Sequence, residues 1–189
     1  CDSGILGDIS EIEAAVHVAG HLEDDIRTKY ETAGGVTMDI GCYPISWVRH
    51  LTGEEPLEVS ANAETGQPDV DLFLEADLTF PSGIVGHISG DMRNGGKTRA
   101  DLTVTGSKGT LHIWNPISPQ HGTKFEVTVD GATTSETIDN RASYDYQLDA
   151  FVAAIEQGAS LYTDADEAVH QMKAIDACYE AAGLPLRGL

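Results

Sequence analysis

A short segment between Gly34 and Ile45 holds an aspartate and a tyrosine four positions apart, with a glycine between them. On a helix, Asp39 and Tyr43 would point the same way, because residues four apart share a face. A carboxylate and a phenol side by side can bind a polyol and move a proton, since each makes a directional hydrogen bond. Gly41 has no Cβ and would leave open space for a ligand or another backbone to approach. The segment is therefore a candidate polyol site.

The same spacing also suits a purely structural role. Asp39 would then cap a helix near its start, while Tyr43 would pack in the core. From the spacing alone, this structural interpretation is the favoured one.

Outside this segment, the sequence contains no convincing motif for nucleotide binding, metal binding or nucleophilic catalysis. The sequence has no G-x-G-x-x-G between a strand and a helix, no G-x-x-x-x-G-K-[ST] and no G-x-S-x-G. The segment Gly106–Gly109 looks like a phosphate loop, but strand-like residues flank it, which predicts a hairpin turn. His17 and His21 have an i, i+4 spacing at the end of a strand pattern, where it does not indicate a metal site. No metal is predicted.

The hydrophobic pattern predicts the elements that must position the candidate segment. Apolar residues at helical spacing predict a helix over Val36–Leu51, with Pro44 either close to its start or at a kink. Two more helices are predicted over Tyr144–Gln157 and Asp164–Ala182, the second with Asp164 as its N-cap and a glutamate at the capping-box position. Period-two alternation predicts strands over Ile9–Ala19, Leu57–Glu64, Val70–Phe80, Gly83–Met92, Thr98–Thr105, Thr110–Trp114, Phe125–Val129 and Thr133–Ile138.

This order of elements predicts the fold class. Short turns between successive strands make antiparallel neighbours, because a parallel pair needs a long crossover. The expected fold is α+β, a large and mostly antiparallel β-sheet with helices packed on one face. Trp114 and Phe125 are candidates for the open face. Copies are expected to associate through that face into a homodimer or homotetramer, unless it is polar and solvated.

The charge balance limits the possible partners. The 189 residues include 31 Asp and Glu against 11 Lys and Arg, for a net charge of -20. Nucleic acid and anionic membranes require a basic patch, so both are excluded as partners, and no apolar run reaches the ~20 residues of a membrane span. Acidic residues scattered along the chain favour adaptation to high salt, which screens their repulsion. An odd set of cysteines, Cys1, Cys42 and Cys178, favours a reduced, cytoplasmic protein.

The candidate segment resembles the signature that opens the C-terminal domain of the glucose–fructose oxidoreductase, inositol dehydrogenase and rhizopine-catabolism (Gfo/Idh/MocA) family. There, glycines precede D-x-G-x-H or D-x-G-x-Y, and this chain has Gly34-Gly35 before Asp39-Ile40-Gly41-Cys42-Tyr43. Further similar segments follow in the family's order, namely Ile5–Ile9, Arg49–Pro56 with Glu58-Val59, Thr105–Leu111, Tyr146–Phe151 and Ile175–Ala182. The tyrosine in place of histidine resembles the glucose–fructose oxidoreductase branch.

The resemblance implies an NAD(P)-dependent oxidoreductase with two domains that acts on sugars or related polyols. In the family, an N-terminal Rossmann domain binds the nucleotide and carries a Glu-Lys-Pro motif, whose Lys helps catalysis. The C-terminal domain supplies substrate-binding residues and the sheet used for oligomerisation. By resemblance, Asp39 holds substrate hydroxyls, Tyr43 assists proton transfer from the hydroxyl being oxidised, and Arg27 lies in a substrate-contacting loop.

Residues 1–189 then correspond to the C-terminal domain, with the Rossmann domain and its Glu-Lys-Pro expected outside this chain. A first residue that is Cys1 and not Met fits a piece of a longer protein. Alone, the chain is expected to transfer no hydride. The activity expected at full length is oxidation of an aldose at C1 with NADP or NAD, as in glucose–fructose oxidoreductase or xylose and glucose dehydrogenases. The alternatives are a trans-dihydrodiol dehydrogenase-like enzyme and a non-catalytic module that binds a polyol or mediates assembly.

Overall fold

A computed structural model describes residues 3–21 and 24–188, so Cys1 lies outside the described residues. The elements in chain order are β1 (Ile9–His17), α1 (Cys42–Thr52), β2 (Glu58–Thr65), β3 (Asp71–Thr79), β4 (Val85–Asp91), β5 (Arg99–Gly106), β6 (Gly109–Trp114), β7 (Lys124–Val129), β8 (Ala132–Glu136), α2 (Ser143–Gln157) and α3 (Ala165–Ala181). Every predicted strand and helix is present. Apart from the start of α1, their ends differ from the predicted ones by at most two residues.

The eight strands form one sheet in the order β2-β3-β4-β1-β5-β6-β7-β8. Within the described residues, β1 and β4 pair in parallel, and every other neighbouring pair is antiparallel. The parallel pair is possible because β1 and β4 are separated in sequence by α1 and a hairpin, which together supply the long connection it needs. The α+β class with a mostly antiparallel sheet is confirmed.

The core lies between one face of the sheet and helices α1 and α3. The sheet contributes Ile12, Ala14, Leu74, Ile88 and Val104, and the helices contribute Ile45, Val48, Ile175, Cys178 and Tyr179. Each side chain of Val, Leu or Ile size stabilises the fold by roughly 1.5–3 kcal/mol when it is fully buried. This apolar layer fixes α1, and therefore the candidate segment at its start, against the middle of the sheet.

The opposite face of the sheet is polar and largely acidic. Its middle is lined by Glu11, Glu13, Ser60, Asn62, Glu75, Asp77, His87, Ser89 and Arg99. Trp114 belongs to this face, since it pairs with Asp101 and Lys124, and the Lys124 ammonium lies 5.0 Å from the centre of its ring. The prediction for Phe125 is wrong. Phe125 follows Lys124 in the strand, so it points to the other face, where it packs against the core.

Helix α2 keeps its apolar side chains exposed, in contrast to α1 and α3. Tyr144, Leu148, Phe151 and Ile155 are each more than half exposed. The start of the helix is fixed by Ser143, whose hydroxyl donates to the Ile117 carbonyl at 2.9 Å. No helix in the described part of the chain is long and apolar enough to cross a bilayer.

Candidate active site

The candidate segment forms a π-turn, Thr37–Gly41, that runs directly into α1. Pro44 has no N–H to donate to the carbonyl four residues earlier, so a regular helical turn cannot be completed there. Of the two arrangements expected for Pro44, the structure has the first, with α1 beginning two residues before it. Single π-turns inside helices occur frequently at functional sites. The unusual turn therefore coincides with the residues singled out from their chemistry.

Asp39 and Arg27 form an ion pair on the surface. The Arg27 Nε lies 2.9 Å from the Asp39 Oδ1, and the Arg27 Nη1 lies 3.1 Å from the Asp25 Oδ1. Hydrogen bonds to Asp39 and Asp25 raise the pKa of Arg27 above its ordinary value. The side chains of Asp39 and Arg27 are 28% and 47% exposed, so both remain accessible to a ligand. Two of the three predicted site residues thus lie in direct contact.

The loop that carries Arg27 reaches Asp39 because it stacks directly on Gly34. A Cβ at Gly34 would lie 2.6 Å from the carbonyl oxygens of both Arg27 and Lys29. The Gly34 N–H donates to the Lys29 carbonyl, and the Gly35 N–H donates to the Arg27 carbonyl, each at 2.9 Å. These bonds close a depression of about 220 Å³ that is lined by Arg27, Gly34, Gly35 and Asp39, among others.

Tyr43 lies on the first turn of α1 and is 38% exposed, so it does not pack in the core. Its ring borders a second depression of about 260 Å³, formed with Thr163 and Gln171. Burial raises the pKa of Tyr43, and Cys42, Tyr144 and Asp39 raise it further. The phenol is therefore neutral near pH 7, where it can donate a hydrogen bond but cannot act as a base without help.

A buried carboxylate, Asp71, holds the start of the π-turn. Its Oδ2 accepts from the Thr37 N–H at 2.9 Å and from the Thr37 hydroxyl at 2.7 Å. Its Oδ1 accepts from the Tyr179 hydroxyl and from Arg187, each at 3.1 Å. Arg187 also donates to the Gly34 carbonyl at 2.8 Å. Sequence reasoning missed this network, although a charged residue inside the apolar stretch after Val70 was a signal for it.

Gly41 packs on the sheet rather than facing a ligand. It is buried, and a Cβ at Gly90 in β4 would lie 3.4 Å from the Cα of Gly41. Of the two approaches expected at Gly41, the one by another backbone is the one observed. The missing Cβ of Gly90 lets the π-turn sit closely on the sheet at Gly41, which fixes the height of Asp39 and Tyr43 above it.

The remaining sequence candidates have structural partners. His17 Nε2 lies 2.9 Å from the Ser89 hydroxyl, and His21 Nδ1 lies 2.9 Å from the Met92 carbonyl. Within residues 3–21 and 24–188, no three His, Cys, Asp or Glu side chains are grouped closely enough to hold a metal ion. The segment Gly106–Gly109 joins β5 to β6, which confirms the predicted hairpin.

Three comparisons with known proteins bear on this arrangement. The family described as GFO/IDH/MocA C-terminal domain matches residues 1–112. D-xylose 1-dehydrogenase (NADP(+)) 2 of Haloferax volcanii is 28% identical over 180 residues, which cover 92% of this chain and 55% of that protein. A dTDP-3,4-didehydro-2,6-dideoxy-alpha-D-glucose 3-reductase of Streptomyces antibioticus is 24% identical over 163 residues, covering 85% of this chain and 49% of that protein.

Among solved structures, the aldose-aldose oxidoreductase from Caulobacter crescentus, complexed with glycerol, superposes with a TM-score of 0.85 and 26% sequence identity. The superposition covers 96% of this chain and 56% of that one. The chain therefore spans about half the length of the relatives that it matches.

Proposed function

Because the chain belongs to the Gfo/Idh/MocA family, we propose that residues 1–189 are the substrate-binding C-terminal domain of an NADP-dependent sugar oxidoreductase. The observation that carries the proposal is the accessible Arg27–Asp39 ion pair, four residues along the π-turn and α1 from the partly exposed phenol of Tyr43. Similarity to a D-xylose dehydrogenase and to an aldose-aldose oxidoreductase supports an aldose as substrate and NADP rather than NAD as cofactor. The proposed reaction is oxidation of the aldose at C1.

In this proposal, Asp39 and Arg27 bind and orient the sugar. Asp39 accepts hydrogen bonds from sugar hydroxyls, because its carboxylate has more acceptor capacity than the single bond from the Arg27 Nε uses. Arg27 donates to a ring or hydroxyl oxygen from its remaining N–H groups. The ion pair keeps both side chains in place before the sugar binds, which lowers the ordering cost of binding.

The described residues do not fit the phosphates of a nucleotide. The glycine-rich Gly106–Gly109 is a hairpin turn, and the depression at Tyr43 is bordered by the carboxylates Asp164 and Glu167. We therefore assign nucleotide binding to a Rossmann domain outside this chain. NADP bound there would accept the hydride that leaves the sugar C1.

Tyr43 handles the proton in the proposed mechanism. Its raised pKa keeps the phenol neutral, so it donates a hydrogen bond to the reacting C1 oxygen. To take up the proton of that hydroxyl it needs a nearby cation that lowers its pKa. The Lys of the Glu-Lys-Pro motif expected in the Rossmann domain would be that cation. The 189 residues alone are therefore expected to bind sugar but not to oxidise it.

The test uses the complete polypeptide, a panel of aldoses and dihydrodiols, and NADP reduction followed by absorbance. We expect aldose oxidation, a loss of kcat of about 10²–10⁴-fold in Tyr43→Phe, and a raised KM in Asp39→Ala. The matched control is Asp8→Ala, at an exposed carboxylate outside the candidate site. Normal turnover in Tyr43→Phe and Asp39→Ala would refute the site assignment. Turnover of dihydrodiols alone would favour the diol dehydrogenase, and polyol binding without any turnover would favour the module.

The sequence predicted association of copies through the open face of the sheet unless that face was polar and solvated, and it is polar. We therefore propose a homodimer or homotetramer through this face only in a salt-rich cytoplasm, where its carboxylates are screened. This face is polar, so ion pairs and hydrogen bonds must hold the interface, while Glu11, Glu13 and Glu75 repel their counterparts. Screening by salt should therefore promote assembly. Light scattering at 0.2 and 2 M KCl measures the mass, and a monomer at both concentrations would contradict assembly.

A further inference from the structure

A glutamine on α3, Gln171, contacts the peptide group that leads into Tyr43. The Gln171 Nε2 donates to the Cys42 carbonyl at 2.8 Å, across the space between α3 and the first turn of α1. Gln171 is partly buried and lines the depression that Tyr43 borders. This hydrogen bond therefore joins α3 to the backbone directly before the phenol.

The Gln171 amide has one favoured orientation, because its two partners differ. The Arg49 Nη1 donates to the Gln171 Oε1 at 2.8 Å, and a guanidinium can only donate. The Cys42 carbonyl can only accept, so the NH₂ group must face it. Arg49 is in turn held by Glu55 and Glu167, each 2.7 Å away, and its side chain is 3% exposed. A continuous chain of contacts therefore runs from Arg49 through Gln171 to Cys42.

The first turn of α1 has fewer hydrogen bonds of its own than a regular helical turn. Gly41, directly before the helix, has no side chain that could cap it. Pro44 has no N–H, so one backbone hydrogen bond of a regular turn is missing. The bond from Gln171 therefore restrains the backbone next to Tyr43 at the place where the helix itself restrains it least.

We infer that Gln171 is a positioning residue for the proton-transfer step, an inference that rests on the proposed function. Gln171 acts through Tyr43, because fixing the peptide group before Tyr43 fixes the phenol relative to the C1 oxygen of the sugar. A displacement of about 1 Å can slow a reaction on the order of 100-fold. The Arg27–Asp39 pair lines the other depression, so binding of the sugar should not depend on Gln171.

The test measures kcat and KM of the complete polypeptide with an aldose and NADP. Gln171→Met is similar in length but lacks both hydrogen bonds, and it should lower kcat by roughly 10–100-fold with KM unchanged. Gln171→Glu keeps the acceptor for Arg49 and loses the donor to Cys42, so its kcat should also fall. The control is Gln67→Met, at an exposed glutamine in the β2–β3 turn, which should turn over normally. Normal kcat in either Gln171 variant would overturn the inference.

A double-mutant cycle separates positioning from a general structural role. If Gln171 acts through Tyr43, the double variant Tyr43→Phe/Gln171→Met should have the same kcat as Tyr43→Phe alone. If Gln171→Met merely lowers the amount of folded enzyme, the two losses multiply, and that result would overturn the inference.

Tyr43→Phe alone tests the proposed function. Normal turnover in this variant would refute the proposed function, whatever the Gln171 variants do. A loss of kcat in Tyr43→Phe together with normal kcat in the Gln171 variants would overturn the positioning role and leave the proposed function intact.

Discussion

The carboxylate of Asp71 accepts four hydrogen bonds, two from Thr37, one from Tyr179 and one from Arg187. The side chains of Asp71 and Arg187 are 0% and 1% exposed. Gly35, with φ +133°, brings the backbone so close that a Cβ there would lie 2.0 Å from the Asp71 Oδ1. The π-turn that carries Asp39 is therefore anchored on one buried charge.

We expect Asp71→Asn to lower the free energy of unfolding by about 3–5 kcal/mol, because it leaves the buried Arg187 without a counter-charge. One carboxylate oxygen also becomes an NH₂ group that faces donors. Chemical denaturation measures the change. The control is Asp69→Asn, which alters an exposed side chain and keeps the carbonyl that accepts from Arg187 at 2.6 Å. Equal effects of the two substitutions would contradict the role given to Asp71.

Single residues of the site were predictable only where local spacing carries information. Asp39 and Tyr43 stood out because they are four apart around a glycine, and the family resemblance added Arg27. The contact between Arg27 and Asp39 depends on a loop whose path no local pattern specifies. Asp71 and Arg187 lie more than a hundred positions apart in sequence, so their pairing follows from tertiary packing alone.

At the scale of elements, the Arg27 loop and the π-turn meet at Gly34. We expect Gly34→Ala to destabilise the fold by about 1–3 kcal/mol, because its Cβ would overlap two backbone carbonyl oxygens. In the complete polypeptide it should also raise the KM for the sugar by displacing Arg27 from Asp39. The contrasting variant is Gly41→Ala, whose Cβ would make contacts of 3.4 Å or longer. A larger loss of stability in Gly41→Ala, measured by denaturation, would contradict this account.

Arg49 joins α1 to α3 and to the loop before β2. Its guanidinium, 3% exposed, lies 2.7 Å from both Glu167 and Glu55. The Asp164 carboxylate caps α3 by accepting from the Glu167 N–H at 2.9 Å, as predicted. The Glu167 carboxylate itself contacts Arg49. Hydrogen bonds from Arg49 lower the pKa of Glu55 and Glu167. Their contribution to stability is therefore complete above the ordinary pKa of about 4.3 and is lost as the pH falls through the lowered values.

Arg49→Met should consequently destabilise the chain by about 3 kcal/mol at pH 7 and by less below pH ~4, because protonated carboxyls no longer need the arginine. Urea denaturation of both proteins across this pH range measures the difference. Arg141→Met serves as the control, since the Arg141–Asp149 pair is exposed and is expected to contribute less than about 1 kcal/mol. A difference between wild type and Arg49→Met that stays constant with pH would refute the assignment.

The elements themselves were predictable because hydrophobic period is a local property of the sequence. All eight strands and three helices follow it. The face predicted for Phe125 was wrong. Neighbouring residues in a strand point to opposite faces of the sheet, and only the pairing of Lys124 with Trp114 shows which of the two faces each residue of β7 occupies. The sequence predicted the helix α2, but its local pattern does not tell whether the apolar side chains are covered within this chain, where they are exposed.

At the scale of the whole molecule, the sheet separates an apolar layer from an acidic surface. The helices cover one face, and the other collects carboxylates such as Glu13, Glu75 and Asp77. The net charge of -20 therefore belongs mainly to surfaces that water and ions can reach. Exposed charges are screened strongly at molar salt. The acidic composition therefore predicts that the stability of the chain increases with salt, in addition to limiting its partners.

We expect the melting temperature of the 189-residue chain to rise by roughly 4–8 °C between 0.1 and 2 M KCl, because screening relieves repulsion worth about 2 kcal/mol. Most of the gain should come below about 1 M, where the Debye length falls fastest. Sucrose at matched osmolality tests for a general solvent effect and should not reproduce the early gain. Neutralising the exposed Glu11, Glu58 and Glu75 of the open face to Gln should raise the low-salt melting temperature and flatten the salt dependence. A melting temperature that does not change with KCl would count against adaptation to high salt, and an unchanged slope in the triple variant would count against repulsion on the open face as its cause.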